Sequence, residues 1–253
     1  MIKKDDLYIQ ISALFKDLNL DFTLEEFVKL SIDNKTKKET VIFFKDVLEE
    51  LKNKENLKKI EHLRKISKIP THKRLDNFNF DFQESLDKNL IDKLTTLEFI
   101  HAHENILFIS NPSMGKTHLA VGIGEICIEA GYRVLFTTEK AILSKLKKAQ
   151  DDNKYGKILR STYLNPAVLI IDEFGFMQLN KEETQMIFDI VDGRYEHSSI
   201  ILTCNYNFPD WVTFFDSRMA TKIITDRLLH HSEVVKMEGD KNYRLYDKIN
   251  SKN

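Results

Sequence analysis

The chain has 253 residues, 42% of them hydrophobic, which is enough for one sizeable α/β core with a smaller appendage. Its 38 Lys and Arg nearly balance 39 Asp and Glu, so global charge does not announce a nucleic-acid binder, and no apolar run reaches the ~18 residues that would cross a membrane. The two cysteines, Cys127 and Cys204, lie in apolar segments without metal-ligand spacing; this argues against a disulfide framework and, with no signal peptide, leads us to expect a soluble cytoplasmic protein.

In chain order, residues 1 to about 70 have a helical pattern with capping signals such as Thr23-Leu24-Glu25-Glu26. From Lys52 to Arg74 there are nine Lys or Arg against Glu55 and Glu61, a net of +7, while Leu57, Ile60, Leu63 and Ile66 recur at helical spacing. The spacing predicts a helix with one buried edge and a basic face, on which Lys58, Lys59, Arg64 and Lys65 are candidate DNA-phosphate ligands. A solvated Lys-rich helix is the alternative. Pro70 marks a break, which divides the chain into a helical region, 1–70, expected to bind DNA or a partner, and a second domain, 71–253, which carries the motifs that follow. Phe78-Asn79-Phe80-Asp81-Phe82 and a helix-like stretch through Ile100 lead into the first strand.

The buried-strand pattern Asn105-Ile106-Leu107-Phe108-Ile109 is followed by Ser110-Asn111-Pro112-Ser113-Met114-Gly115-Lys116-Thr117, and then by a helix pattern from Lys116 to Ala130 closed by Gly131. Gly-Lys-Thr between strand and helix has the form of a phosphate-binding loop. Backbone N–H groups and the helix dipole would face a triphosphate, Lys116 would reach its β- and γ-phosphates, and the Thr117 hydroxyl would hold magnesium. Ser110, Asn111, Pro112, Ser113, Met114, Gly115, Lys116 and Thr117, with the adjoining His118, are therefore the candidate nucleotide-binding residues, with ATP and Mg2+ as cofactors. Ser110 stands at the usual first glycine and Ser113 where related loops often carry another, and serine tolerates a positive φ or a close phosphate approach less well.

A second basic cluster, containing Lys145, Lys147, Lys148, Lys154, Lys157 and Arg160, lies before the next apolar run and adds Lys145, Lys147 and Lys148 to the candidate DNA contacts. That run, Ala167 to Ile171, ends in Asp172-Glu173. It reads as a Walker B strand, with Asp172 as a magnesium ligand and Glu173 as the group that polarises the attacking water. The strand Ser199 to Cys204 ends in Asn205, which suits a sensor of water and γ-phosphate or, alternatively, a turn before Pro209. Arg227 occupies the place of an arginine finger acting on a neighbouring subunit; an ion pair with Asp226 or a Glu is the competing explanation. No Cys or carboxylate cluster accompanies the His101/His103 and His230/His231 pairs in sequence, so packing or surface roles are expected for them. Strands at 105–110, 132–137, 167–172, 199–204 and 233–238 alternate with helices, which predicts an α/β fold with a parallel sheet flanked by helices on both faces.

These residues carry a family resemblance. The chain resembles the IstB group of AAA+ ATPases, helpers of insertion-sequence transposition related to DnaC-type helicase loaders. The likeness runs from Asn77-Phe78-Asn79-Phe80 through Gly115-Lys116-Thr117-His118-Leu119-Ala120, Ile170-Ile171-Asp172-Glu173-Phe174-Gly175, Arg194-Tyr195-Glu196 and Leu202-Thr203-Cys204-Asn205. Its more specific segments are Asp226-Arg227-Leu228-Leu229-His230-His231-Ser232 and Gly239-Asp240-Lys241-Asn242-Tyr243-Arg244. The resemblance implies a P-loop AAA+ core and subunits that form a homo-oligomer on duplex DNA when ATP is bound, deform it, and recruit or stimulate a transposase. Hydrolysis then disassembles the complex, with Arg227 as the finger, and the short stretch after Arg244 leaves no room for a C-terminal helical lid. A DnaC-like helicase loader is the main alternative, and a nucleotide-binding regulator without appreciable hydrolysis is a third.

Overall fold

The computed structural model describes residues 6–70, 73–239 and 243. The chain divides into two compact units, the first running through His62 and the second starting at Leu63, so the division falls inside a helix ahead of Pro70. In the first unit, α1 (Asp6–Asp17) buries Ile11, Leu14 and Phe15, an i, i+3, i+4 set on one face. α2 (Leu24–Asp33) begins at the capping box read from the sequence: the Thr23 hydroxyl accepts the Glu26 N–H and the Glu26 carboxylate accepts that of Thr23. Phe15, Phe22, Phe27 and Phe44 pack ring against ring around these helices.

α3 spans Lys38–Ser67. The buried edge expected from Leu57, Ile60, Leu63 and Ile66 does not form: Leu63 is buried, but Leu57 is 60% exposed and Ile66 37%. Steps of three residues fall about 60° short of a turn in a helix of ~3.6 residues per turn, so four such positions spiral around the helix instead of sharing a face.

The second unit adds α4 (Lys88–Thr95), α5 (Glu98–His101), β1 (Asn105–Ser110), α6 (Lys116–Glu129), β2 (Val134–Thr138), α7 (Glu139–Asp151), α8 (Tyr155–Ile158), β3 (Val168–Phe174), α9 (Lys181–Arg194), β4 (Ser199–Cys204), α10 (Arg218–His230) and β5 (Ser232–Met237). The strands form one parallel sheet in the order β2-β3-β4-β1-β5. All six residues of β1 and of β4 are buried, as expected for central strands covered on both faces. Parallel strands place their C-terminal ends along one edge. The order therefore sets the loop after β1, the end of β4 and the end of β3 side by side, the position where open α/β sheets bind ligands. The expectation about a C-terminal lid concerns residues beyond Arg244, outside the described residues.

Candidate active site

β1 ends at Ser110 and the chain turns through Asn111–Gly115 into α6. Two residues of the turn are left-handed, Ser113 at φ +65° and Gly115 at φ +100°. Gly115 is required on a second count: a Cβ there would lie 2.6 Å from the Phe78 ring. Of the two serines, Ser113 does occupy the conformation that glycine favours, whereas Ser110 is not among the positive-φ residues. Ser110 thus carries no positive-φ strain; this buried serine closes the strand and presents polar atoms to the lysine. Lys116 Nζ donates to Ser110 O (2.7 Å), Ser110 Oγ (3.1 Å) and Asn111 O (2.9 Å). Burial pulls its pKa down to about 8, against the opposing pull of Cys204 and Asp172. The ammonium is thus held at the loop by weak acceptors that phosphate oxygens would outcompete.

At the end of β3, Asp172 Oδ1 accepts from Thr117 Oγ1 (2.8 Å) and from Thr203 Oγ1 (2.5 Å), while Thr203 Oγ1 in turn accepts the Glu173 N–H (3.1 Å). One hydroxyl of β4 thereby holds the Asp172 carboxylate and the Glu173 backbone. The register between β3 and β4 slips between Ile171 and Phe174, where Ile171 pairs with Leu202 and Phe174 with Cys204, so β3 carries one extra residue. This bulge coincides with φ +57° at Glu173, whose side chain lines the nucleotide cleft. Thr117 and Asp172 offer two hard oxygen donors already in contact, a set that fits Mg2+.

The turn after the acids is held from below. Gly175 is left-handed at φ +76°, and a Cβ there would fall 2.1 Å from the Phe214 ring. Its N–H donates to Oε2 of buried Glu139, at the start of α7, while Oε1 of the same carboxylate has no hydrogen-bond partner. Burial pushes the Glu139 pKa up to about 7; the N–H groups of Gly175, Phe176 and Met177 oppose the rise and the Glu183 carboxylate adds to it.

The loop from Pro112 to Lys116 lines one cleft of about 450 Å³ with Thr117, Asp172, Glu173, Thr203 and half-buried Asn205, and Phe78, Asn79, Phe82, Gln83 and Tyr243 form another of its walls. The wall is tied to the loop: Gln83 Nε2 donates to Met114 O (2.9 Å), the Tyr243 N–H donates to Ser113 O (3.1 Å), and the Phe82 and Tyr243 rings meet edge to face. His118 faces the Phe78 ring at 5.4 Å, with Nε2 2.7 Å from Arg74 O. Aromatic rings interleaved with the amides of Asn79 and Gln83 beside a phosphate loop suit a nucleobase, which needs both apolar contact and polar partners. Sequence reasoning assigned this stretch no site; its signal was the alternating Phe78, Phe80 and Phe82. Thr203 was missed as well, for it looks like one more β-branched residue of a buried strand.

Arg227 is not brought to this cleft. It borders a small depression with Asn105 and Ile200, at the N-terminal ends of β1 and β4, on the opposite edge of the sheet from the loop. Its Nη2 pairs with Asp192 at 2.9 Å, not with the Asp226 considered from sequence; the guanidinium lies 4.7 Å from the Phe188 ring centre, and Nη1 is buried without a partner. Among the candidate DNA contacts, Arg64 is engaged by Glu125 (2.9 Å) and Glu129 (3.4 Å), and Lys147 by Glu183 (2.6 Å). Lys145 sits by Thr162 and the Tyr163 ring. Lys58, Lys59, Lys65 and Lys148 are exposed and form no ion pair among the described residues.

The family model described as IstB-like ATP binding protein matches residues 13–251. The chain belongs to this family. An ATP-binding protein of insertion sequence IS5376 from Geobacillus stearothermophilus is 43% identical to it over 190 residues, 75% of this chain and 74% of that one. Its IS21 counterpart from Pseudomonas aeruginosa is 38% identical over 185 residues, 73% of this chain and 69% of that one. The crystal structure of the DnaC helicase loader superposes with a TM-score of 0.53 at 25% identity, covering 66% of this chain and 98% of that one. A DNA replication initiation factor superposes at 0.58 and 21% identity over 73% of this chain; the present chain spans 55% of its length, and the likeness is one of fold. The IstB-like chain is therefore an ATP-binding P-loop protein of the AAA+ type, and no described helix is long and apolar enough to cross a membrane.

Proposed function

We propose that this chain is an ATPase that assists insertion-sequence transposition, assembling on duplex DNA in its ATP state and recruiting or stimulating a transposase until hydrolysis releases it. The observation that carries the reading is the convergence of Lys116, Thr117, Asp172, Glu173 and Asn205 on one cleft at the C-terminal ends of three adjacent strands. Lys116 binds the β- and γ-phosphates, and the N-terminal turn of α6 adds backbone N–H groups and its dipole. Thr117 and Asp172 would hold magnesium, which when bound offsets phosphate charge. Glu173 accepts a proton from the attacking water, and Asn205, with one donor and one acceptor, aligns that water with the γ-phosphate. Arg227, on the opposite sheet edge, acts on the nucleotide of an adjoining copy. The names of the IS5376 and IS21 relatives, at 43% and 38% identity, support transposition over helicase loading.

Turnover and nucleotide binding of two variants test the chemistry. Lys116→Ala removes the loop cation and is expected to abolish ATP binding. Glu173→Gln keeps the shape of the side chain but loses the base, so ATP still binds while hydrolysis falls by orders of magnitude. Undiminished hydrolysis in Glu173→Gln removes Glu173 from the mechanism.

A further inference from the structure

Sequence spacing gives the His230/His231 pair no carboxylate, but the fold supplies one. Glu196, in the connection after α9, and His230 and His231, at the end of α10, each offer a ligand atom, and the three atoms lie within 4.8 Å of one another. We propose that Glu196, His230 and His231 bind one divalent cation of the zinc class, at a site separate from the nucleotide cleft.

The donor chemistry selects the ion. Two imidazoles and one carboxylate suit Zn2+, and Co2+ as its spectroscopic substitute, whereas Mg2+ prefers an all-oxygen shell. Three protein ligands leave a fourth tetrahedral position, for water or for His103, which borders the same depression as Glu196 and His231. The outer contacts also match a metal site. Tyr195 Oη lies 2.6 Å from His230 Nδ1; in the ligating tautomer Nδ1–H donates to that phenol oxygen, which leaves the Nε2 lone pair for the ion. His231 Nε2 already stands 3.7 Å from Glu196 Oε1, an approach that a cation would strengthen. Of the two arginines that border this depression, Arg227 is paired with Asp192 and Arg194 is turned to the carbonyls of Tyr163, Pro166, Ala167 and Ser199.

Bound there, the ion ties the chain after α9 to the end of α10. His231 follows Arg227 by four residues, one helical turn, so the ion also steadies the helix end that presents Arg227. The link to the finger rests on the function proposed above, whereas metal binding does not, and the test reads binding alone.

The full chain, stripped with chelator and kept in excess Mg2+ so that Thr117 and Asp172 are occupied, is titrated with Co2+ and followed by its visible absorption, then by competition with Zn2+. The expected result is saturation at one ion per chain with the intense spectrum of a four-coordinate site. Glu196→Gln and His231→Ala lower the affinity at least about tenfold, and Tyr195→Phe lowers it by about 10- to 100-fold through removal of the outer hydrogen bond. Glu196 is exposed, and circular dichroism of Glu196→Gln confirms that its fold is kept. Lack of saturable binding to the wild-type chain, or an affinity unchanged in folded Glu196→Gln and Tyr195→Phe, overturns the proposal. Retained Zn2+ binding in a chain without ATPase activity leaves it standing and counts against the proposed function instead.

Discussion

The Thr203 hydroxyl joins the two acidic residues at the end of β3. It donates to Asp172 and accepts from the Glu173 N–H, so Thr203→Val, which keeps the shape, leaves a part-buried N–H and one buried carboxylate bond unmade. The expected loss is about 1–3 kcal/mol of stability. In nucleotide-binding and turnover assays kcat should fall about 10-fold or more while ATP affinity changes little, because Lys116 and the loop are untouched; an unchanged kcat would reduce Thr203 to packing. Glu139 gives a pH signature. Its folded pKa of about 7 lies above the ordinary 4.5, so the folded state holds a proton that the unfolded chain has lost. The associated stability is fully present below about pH 4.5 and is lost as pH rises through about 7, with a span on the order of 3 kcal/mol. Glu139→Gln is expected to flatten that decline in melts between about pH 5 and pH 8.

At the scale of elements, the Walker B strand depends on what surrounds its two ends. Its C-terminal end carries the bulge that re-aims Glu173, and its N-terminal end is held by Arg194 of α9. That guanidinium, 1% exposed, donates to the carbonyls of Tyr163 (2.7 Å), Pro166 (3.0 Å), Ala167 (3.2 Å) and Ser199 (2.7 Å), and burial draws its pKa down to about 9. A planar fork can serve four carbonyls at once, which a single ammonium with three donors cannot. Arg194→Lys is therefore expected to cost about 2–4 kcal/mol in denaturant titration. A change below about 0.5 kcal/mol would show that the four carbonyls find other partners. The Arg194-Tyr195-Glu196 segment, part of the family likeness, thus owes its arginine to architecture and leaves the phosphate chemistry to the opposite edge of the sheet.

Across the whole molecule, Lys116 and Arg227 lie at opposite edges of one sheet, a placement that suits a site completed between copies. Mixing Arg227→Ala with Lys116→Ala chains should restore ATPase activity that each lacks alone, since some pairings join an intact loop to an intact finger; wild-type turnover by Arg227→Ala alone would end the finger assignment. The proposed DNA contact is tested best at the exposed lysines that form no ion pair among the described residues. Replacing Lys58, Lys59 and Lys65 together by Ala should lower the salt slope of duplex binding by about one for each phosphate no longer neutralised, with ATP affinity unchanged. Arg64→Ala should instead lower stability, because its guanidinium already serves Glu125 and Glu129.

Local chemistry made much of this protein readable from its residues. Apolar runs marked β1 to β4, with β2 placed two residues early at its start, the short Val234-Val235 pair marked β5, and Thr23 with Glu26 marked a helix start, because these signals depend on neighbours in the chain. Gly115-Lys116-Thr117 and Asp172-Glu173 were legible for the same reason: phosphate and magnesium demand those groups at fixed short spacing. Contacts between distant segments were not. The β3 bulge, the Thr203 bridge, the aromatic wall from Phe78 to Tyr243 and the pairing of Arg227 with Asp192 each join residues whose separation along the chain carries no period. The charge of a lysine is written in the sequence, but whether an acid answers it, as Glu183 does Lys147 and none does Lys148 among the described residues, is decided only when the chain has folded.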